Sequence, residues 1–353
     1  MKIAIIGGGA SGLLLANLLN KNKIDFIVFN NGKIGRKILA SGNGRCNIAN
    51  RNINISKYHN NILVNKLLKY KDEVFKVFDD LNIYLKEDDE GRLYPISESS
   101  LSILNIFMKN ISNKIVDELV YKISKKNNKY IIIDLYEDFD KVVIAIGSNA
   151  NLDKYDNKLL ANLNIKINEF KPSLVGFKTK NKIKEISGVR CKCNVSLFND
   201  NKMIYNEDGE VIFKDDGISG ICIMNLSSFY NHLSKYNNPY VKIDLLCGKK
   251  YNNLESVINP KLLGYINKYN IDPNNFILNI IKTYDMRFAQ VASGGVDISC
   301  INDNLSLKND NNIYLAGEII DVDGLCGGYN LFFAFLCAIA IFEDLKWNIK
   351  LII

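Results

Sequence analysis

The residue types with the clearest chemical meaning lie in the segment GGGASG at positions 7–12. Its G-x-G-x-x-G spacing suits a dinucleotide. Gly7 would allow a tight turn, Gly9 would let a pyrophosphate approach the backbone, and Gly12 would let a helix pack closely on a strand. A helix beginning here would also point its free N–H groups at the phosphates. The segment therefore predicts a dinucleotide site that includes Gly7, Gly9, Ala10, Ser11 and Gly12.

The ribose position departs from the usual pattern. An acidic residue about 20 residues after the glycines normally accepts a hydrogen bond from a ribose hydroxyl, but Asn30 ends the second predicted strand. An amide still bonds a hydroxyl, although it is not a charged acceptor. We expect Asn30 to take this position with a weaker hold on the ribose.

Three predicted strands and one helix position these residues. Apolar runs at 2–6 and 25–29 predict buried strands, and the apolar stretch from about Ser11 to Asn20 predicts the helix between them. A third short strand, 141–146, resembles the strand that closes the nucleotide-binding sheet in many dinucleotide-binding proteins, and we expect it to bring Ala145 and Gly147 to the cofactor. Because the glycines stand between a strand and a helix, a turn without a ligand is a poor explanation.

The rest of the chain divides the nucleotide domain in two. The patterns predict a helical region over 61–85, strands over 114–137 with a turn at 126–128, antiparallel strands after Pro172, a helical region over 251–285, a strand at 313–318 and a helix over about 329–345. We predict an α/β fold with a nucleotide domain at 1–168 and 286–353, interrupted by a mainly antiparallel β domain with a helical part at 169–285.

Composition restricts the partners. The chain has 353 residues, and its 47% hydrophobic and 24% charged content is typical of a soluble globular enzyme. The net charge of +7 comes from lysines spread along the chain without a dense basic run, which favours a solvated surface over a nucleic-acid partner. The apolar run 331–342 is too short for a bilayer and predicts a buried helix, so no membrane partner is expected.

The cysteines and histidines exclude further chemistries. Eight cysteines without disulfide spacing fit a reducing cytoplasm. Cys191 and Cys193 are the only close pair, and neither His59 nor His232 is near them, so no metal site is expected. A second G-x-G-x-x-G and a C-x-x-C are missing, as are G-x-S-x-G and H-E-x-x-H, which argues against disulfide reductases and hydrolases.

A second glycine-rich segment, GRKILASGNGRCN at 35–47, is too specific for an ordinary loop. Further blocks follow it in order: GRLYP (91–95), KPSLV (171–175), GEVIF (209–213), GISG (217–220), AQVASGGV (289–296), GEIIDVDG (317–324) and GGYNL (327–331). Together they resemble the signature of a bacterial family of NAD(P)/FAD-dependent oxidoreductases, the aminoacetone-oxidase-family FAD-binding flavoproteins, one branch of which reduces dehydro-bile acids. The resemblance covers essentially the whole chain.

The resemblance implies a tightly bound FAD in a glutathione-reductase-type domain, with a barrel-like insert covering the flavin. Three departures from the family pattern bear on the substrate more than on FAD. Cys326 replaces a threonine, Phe332 replaces a glutamine, and Lys214-Asp215 replaces a Thr-His pair.

Several side chains can be assigned to an FAD site. Glu318 and Asp321 would accept hydrogen bonds from ribityl hydroxyls, although Asp321 could instead be a cap or turn residue. The helix beginning near Tyr329 would favour negative charge on the ring by roughly 0.3–2 kcal/mol. Arg36 and Lys37 would bind the diphosphate or the flavin, or could be surface charges. The matched motifs complete the cofactor-binding set with Ser41, Gly42, Gly44, Arg45, Cys46, Asn47, Gly317, Gly327, Gly328 and Asn330.

Catalytic residues are weakly marked. Arg45 could hold a substrate carboxylate or carbonyl. Cys46 could be a redox thiol, although packing is the commoner outcome for such a cysteine. Tyr94 and Tyr329 could donate a proton or form aromatic walls.

The sequence thus predicts a cytoplasmic enzyme that passes hydride from transiently bound NAD(P)H through FAD to a small organic acceptor. An oxidase of a small amine is the alternative within enzymes. A flavoprotein that binds or modifies RNA, and a non-enzymatic flavin-binding protein, are the alternatives from other classes.

Overall fold

The computed structural model describes residues 1–132, 138–152 and 158–350, and its chain separates into two compact units. The first comprises Met1–Asn149, Lys154–Phe170 and Gly294–Ile353, and the second comprises Ala150–Asp153 and Lys171–Ser293. The sequence placed the two main junctions at 168/169 and 285/286. The corresponding divisions in the structure fall at 170/171 and 293/294.

The described helices are α1 (Ala10–Lys21), α2 (Arg36–Ala40), α3 (Asn61–Leu67), α4 (Lys71–Asp80), α5 (Ser100–Met108), α6 (Lys158–Ala161), α7 (Ile221–Asn231), α8 (Pro260–Lys268) and α9 (Tyr329–Lys350). The described strands are β1 (Lys2–Ile6), β2 (Asp25–Asn30), β3 (Ala49–Asn50), β4 (Leu85–Glu87), β5 (Arg92–Pro95), β6 (Ile115–Asp117), β7 (Ile123–Lys126), β8 (Lys129–Ile132), β9 (Lys141–Ile144), β10 (Ile167–Ser173), β11 (Phe177–Thr179), β12 (Arg190–Asn199), β13 (Lys202–Lys214), β14 (Gly217–Ser219), β15 (Tyr240–Asp244), β16 (Phe276–Thr283), β17 (Val291–Val296), β18 (Ser306–Leu307) and β19 (Asp310–Leu315).

The first unit is built on a six-stranded sheet in the order β18-β19-β9-β1-β2-β6. All neighbours are parallel except β18 and β19. The central strands read KIAII and KVVI because a parallel sheet is covered on both faces. Helix α1 packs against α9, whose residues 332–342 are buried on every side. The predicted strand–helix–strand start and the terminal helix are confirmed.

The second unit is a closed antiparallel barrel in the order β11-β14-β13-β12-β15-β16. Helix α7 packs against β13, where Gly209 leaves room for the Cys222 side chain. Cys191 and Cys193 lie on β12. The predicted fold class, a Rossmann-like domain with a barrel-like insert and a helical part, is confirmed.

The prediction of a helical region over 251–285 is wrong for most of its length. Only α8 is helical there, and β16 is a strand that pairs with both β15 and β11 and so closes the barrel. Its burial alternates, with Phe276, Leu278 and Ile280 inside, which is the period of a strand. The region 61–85 forms two helices, α3 and α4, separated by a 3₁₀ turn at Leu68–Tyr70. Residues 133–137 of the predicted strand region lie outside the described residues.

Among the described residues, no helix combines the length and the apolar character that a bilayer crossing requires.

Candidate functional site

The glycine turn has the stereochemistry that its spacing predicted. Gly7 has φ +116°, and a Cβ there would lie 2.3 Å from the Ala145 carbonyl oxygen. A Cβ on Gly12 would lie 2.0 Å from the Gly7 carbonyl oxygen, so the start of α1 packs directly on the turn. At Gly9, by contrast, a Cβ would meet only the Ala145 oxygen, at 3.8 Å. Gly7 and Gly12 are therefore fixed by packing within the protein, whereas Gly9 borders open space.

The N-terminus of α1 is available to an anion. Gly9 is its N-cap residue, and no side chain caps the first turn. The N–H groups of a first helical turn have no intrahelical partners and carry partial positive charge. This arrangement, next to the open space at Gly9, fits a pyrophosphate.

Asn30 supports the turn from the end of β2. Its Oδ1 accepts a hydrogen bond from the Gly8 N–H at 2.9 Å, and its Nδ2 donates to the Gly32 carbonyl at 2.8 Å. A carboxylate could not make the second bond, because it has no proton to donate. The amide thus explains the departure from an acidic residue, and a contact with a ribose stays a prediction.

The end of β9 supplies polar groups beside the turn. Gly147 has φ +71°, and a Cβ there would meet nothing within 4 Å. The Oδ1 of Asn149 is buried without a hydrogen-bond partner among the described residues. A buried acceptor in that condition is costly unless a ligand or water satisfies it. The open space at Gly9 and the uncapped α1 fit the diphosphate of a dinucleotide such as FAD.

Lys37, Ser148 and Glu318 form a half-buried polar cluster. The Lys37 ammonium donates to Glu318 Oε2 and, at 3.1 Å, to Ser148 Oγ, while Ser148 Oγ donates to Glu318 Oε1 at 2.7 Å. Burial lowers the pKa of Lys37, and the Glu318 carboxylate opposes that shift. Lys37 is therefore an internal counter-ion rather than one of the surface charges that the sequence left open.

Asp321 is buried and joined to two groups of the same unit. Its carboxylate accepts from the Gly294 N–H at 3.0 Å and from Asn168 Nδ2 at 2.7 Å. These bonds match the turn-residue alternative. A carboxylate has about four acceptor sites, so contacts of Glu318 and Asp321 with ribityl hydroxyls stay predictions.

The loop 41–47 packs on the glycines that precede α9. The Asn47 amide, oriented to satisfy both neighbours, donates to the Ala49 carbonyl at 2.9 Å and accepts from the Gly328 N–H at 3.1 Å. Asn50 Nδ2 donates to the Gly327 carbonyl at 3.2 Å. A Cβ on Gly328 would lie 2.3 Å from the Ala49 carbonyl oxygen. Two motifs about 280 residues apart in sequence are thus one piece of structure.

The backbone of this loop is largely left-handed. Gly42, Asn43, Gly44 and Cys46 have φ between +53° and +85°. Cys46 is neither glycine nor asparagine, and a left-handed conformation costs such a residue about 1–3 kcal/mol. Its side chain is fully buried, and burial raises the pKa of the thiol to about 11. At neutral pH it is a protonated packing group, which disfavours the redox role.

Arg45 directly precedes Cys46 in this loop. Its side chain is exposed, and the guanidinium lies 4.9 Å from the centroid of the Tyr94 ring. Nε donates to the Gly42 carbonyl at 3.4 Å. Burial raises the pKa of the Tyr94 phenol, so that it keeps its proton at neutral pH.

Tyr329 begins α9 and is buried against Tyr58. The Tyr58 hydroxyl donates to the Tyr329 carbonyl at 2.8 Å, and the rings meet edge to face. Burial raises the pKa of the Tyr329 phenol. Asn330 does not face open space, because its amide makes two bonds to the backbone of Gly324, at 2.9 and 2.7 Å.

The remaining predicted residues lie on the same unit. A Cβ on Gly317, which has φ +75°, would lie 2.6 Å from Ser11 Oγ, so this glycine packs on the start of α1. Ser41 Oγ donates to the Ile38 carbonyl, Gly44 is exposed, and Arg36 begins α2.

Sequence reasoning missed Tyr58, Asn149 and Ser148. Ser148 and Asn149 follow Gly147 directly, where the carboxyl end of a parallel strand usually contributes ligands. That position was the only available signal for them. For Tyr58 the sequence offers none, because its partner is a backbone carbonyl 271 residues away.

The parallel sheet, the glycine turn and the uncapped α1 define a Rossmann-type dinucleotide-binding fold. The family and the reductase relative described next confirm the predicted class, an FAD-dependent oxidoreductase. The chain belongs to the family of HI0933-like proteins with a Rossmann domain, whose model matches residues 1–342. The predicted family resemblance is confirmed.

Two curated relatives match nearly the full length. The chain is 28% identical to a 3-dehydro-bile acid delta(4,6)-reductase of Clostridium scindens, over 94% of this chain and 95% of the relative. It is 23% identical to a ribosomal RNA dihydrouridine synthase of Haemophilus influenzae, over 96% of this chain and 97% of the relative.

A solved structure shares the fold. It is the 3-ketosteroid-delta4-(5alpha)-dehydrogenase from Rhodococcus jostii RHA1 in complex with 4-androstene-3,17-dione, with a TM-score of 0.52 and 11% identity. The match covers 96% of this chain and 95% of that one.

Proposed function

We propose that this protein takes hydride from NADH or NADPH and reduces a carbon–carbon double bond conjugated to a carbonyl in an anionic organic acceptor. The observation that carries the proposal is the likeness, over nearly the whole chain, to two relatives whose names share one chemistry. A delta(4,6)-reductase removes double bonds from a bile acid, and dihydrouridine is uridine with its ring double bond reduced. Both named substrates are anionic at neutral pH. A cytoplasmic setting, where free thiols persist, is part of the proposal and agrees with a chain whose eight cysteines form no disulfide.

The chain's own residues would bind, orient and protonate. Gly9 and the first turn of α1 would hold the pyrophosphate, and Asn30 would keep the turn in shape. FAD, when bound, would supply hydride transfer. Reduction of the double bond also needs one proton at the neighbouring carbon. Tyr94 and Tyr329 are the candidates to donate it, because a phenol is protonated at neutral pH, Tyr94 lies against the loop 41–47, and Tyr329 begins α9.

The test separates the two half-reactions. The purified protein is expected to show a flavin absorption spectrum, and anaerobic mixing with NADH or NADPH should bleach it within a turnover time. A 3-oxo-4,6-diene bile acid should then restore the colour under argon and gain two hydrogens by mass spectrometry. Bleaching by a small amine and recovery only with oxygen would instead identify an oxidase and contradict the proposal.

A second candidate is reduction of uridine in RNA. It is favoured by two relatives of that name, at 23% and 22% identity over nearly the whole chain, and the +7 net charge permits it. The same reduced enzyme, given a uridine-containing ribosomal RNA fragment, would produce dihydrouridine. Recovery of colour with the RNA and not with the bile acid would select this candidate.

A further inference from the structure

Arg45 is an exposed cation that forms no salt bridge among the described residues. The nearby carboxylate of Glu98 pairs with Lys86 at 2.9 Å, and its pKa is lowered first by Lys86 and also by Arg45. The neighbouring arginines are neutralised: Arg51 pairs with Glu87 at 3.2 Å, and Arg92 pairs with Asp88 at 2.7 Å and Glu90 at 2.8 Å. Among the residues that the structure describes, the Arg45 side chain makes one hydrogen bond, the long one to the Gly42 carbonyl. Most of its five N–H donors are therefore left to solvent or to a ligand.

The loop is built to hold that side chain outward. Cys46 is fully buried in a left-handed conformation and Asn47 is bonded to the Gly328 N–H, whereas Arg45, directly before them, is exposed. The Tyr94 ring, itself buried, then supports one face of the guanidinium. Strained backbone conformations of this kind cluster at active sites and ligand-binding sites.

The position of the loop links it to the cofactor motifs. Asn47 and Asn50 attach it to Gly328 and Gly327, the two residues before α9. A planar guanidinium held on an aromatic ring suits bidentate binding of a carboxylate or phosphate.

We infer that Arg45 determines acceptor specificity by binding the anionic group of the acceptor, a carboxylate or a phosphodiester, with Tyr94 as the residue that positions the guanidinium. This inference rests on the reductase proposed above. It adds that an acceptor with the same double bond but no anionic group would bind poorly.

Binding to the oxidised holoenzyme tests this without turnover. The probes are the 3-oxo-4,6-diene bile acid, its methyl ester and a uridine-containing single-stranded oligoribonucleotide. Binding of each is measured by the change that it causes in the flavin absorption spectrum. Arg45→Gln should weaken binding of the acid or of the oligonucleotide by about ten- to a hundredfold, the range for a charge-assisted pair. Arg45→Lys should recover only part of the lost affinity, because lysine keeps the charge but cannot form the bidentate hydrogen bonds of a guanidinium. The probe whose binding is weakened by Arg45→Gln shows whether Arg45 binds a carboxylate or a phosphate.

Arg51→Gln is the matched control, because Arg51 also lies over an aromatic ring, Phe75, but is already paired. It should leave all three affinities within about twofold. Any of four results would overturn the inference. Arg45→Gln could weaken binding of the acid and of its ester equally, or the two substitutions could have equal effects. The wild type could bind neither anionic probe, or Arg45→Gln could contain less FAD. Failure of the proposed function would be seen separately, as a flavin that NADH and NADPH do not bleach.

Discussion

Gly9 and Gly12 belong to the same six-residue turn but differ in what a side chain would meet. At Gly9, which has an ordinary φ of −90°, a side chain would enter open space. At Gly12 it would collide with the Gly7 carbonyl. We therefore expect Gly9→Leu to fold normally and to lose FAD affinity by at least about a hundredfold, roughly 2.7 kcal/mol. Gly12→Ala should instead lose the fold.

The flavin-to-protein absorbance ratio and the far-ultraviolet circular dichroism spectrum measure these two effects separately. A Gly9→Leu protein that keeps its full yellow colour would show that the pyrophosphate does not lie at the turn.

These glycines could be predicted from the sequence because their requirement is local and belongs to the residue type. The cluster of Lys37, Ser148 and Glu318 could not, because the partners lie 111 and 281 residues from the lysine and no sequence period connects them. The sequence named Lys37 and Glu318 singly. It was the fold that paired them and introduced Ser148.

At the scale of elements, the continuously buried strands β1 and β9 were predictable, whereas β16 was mistaken for part of a helical region. β1 and β9 are buried on both faces and read as apolar runs. β16 has Ile277 and Ile281 exposed on one face of the barrel, and these apolar residues hide the alternation that marks a strand. The helix α8, directly before it, made the whole region resemble a helical one.

Asp297 secures the segment after β17 and provides a pH-dependent test. Its carboxylate pairs with Lys166 at 2.6 Å and caps the next turn by accepting from the Ser299 N–H at 2.9 Å. The pKa of Asp297 lies well below its usual value, mainly because of the Lys166 ammonium and secondly because of the hydrogen bonds from Ser299. A carboxyl with a lowered folded pKa stabilises the protein above its unfolded pKa of about 3.9, and that contribution is lost as the pH falls through the folded pKa.

Asp297→Asn keeps the capping oxygen and removes the charge. Because the Lys166 side chain is 67% exposed, we expect a loss of at most about 1 kcal/mol in the free energy of unfolding at pH 7. The deficit should shrink steadily as the pH is lowered below 4. Urea unfolding of both proteins at several pH values measures it, and a deficit that is the same at pH 7 and pH 3 would exclude the ion pair as its cause.

The whole molecule contains two units, each with its own hydrophobic core. The glycine turn, the loop 41–47 and α9 all belong to the first unit, whereas the barrel has a core of its own made of residues such as Phe177, Val195 and Leu278. A ligand that binds only a folded unit stabilises that unit by mass action. FAD is therefore expected to act on the unfolding of the first unit.

Gly264→Ala marks the barrel independently. Gly264 is an exposed helical residue of α8 with no neighbour within 4 Å of a Cβ, so alanine should stabilise the barrel by about 0.5–1 kcal/mol. In differential scanning calorimetry, free FAD at about 100 times its Kd should add roughly 2.7 kcal/mol to the first unit. Gly264→Ala should raise a different transition, by roughly 2–4 °C. If FAD and Gly264→Ala displace one and the same transition, the two units unfold together. The Gly9→Leu protein then tests the assignment of FAD to the first unit. In that protein FAD should no longer raise the transition temperature, whereas Gly264→Ala should still raise it.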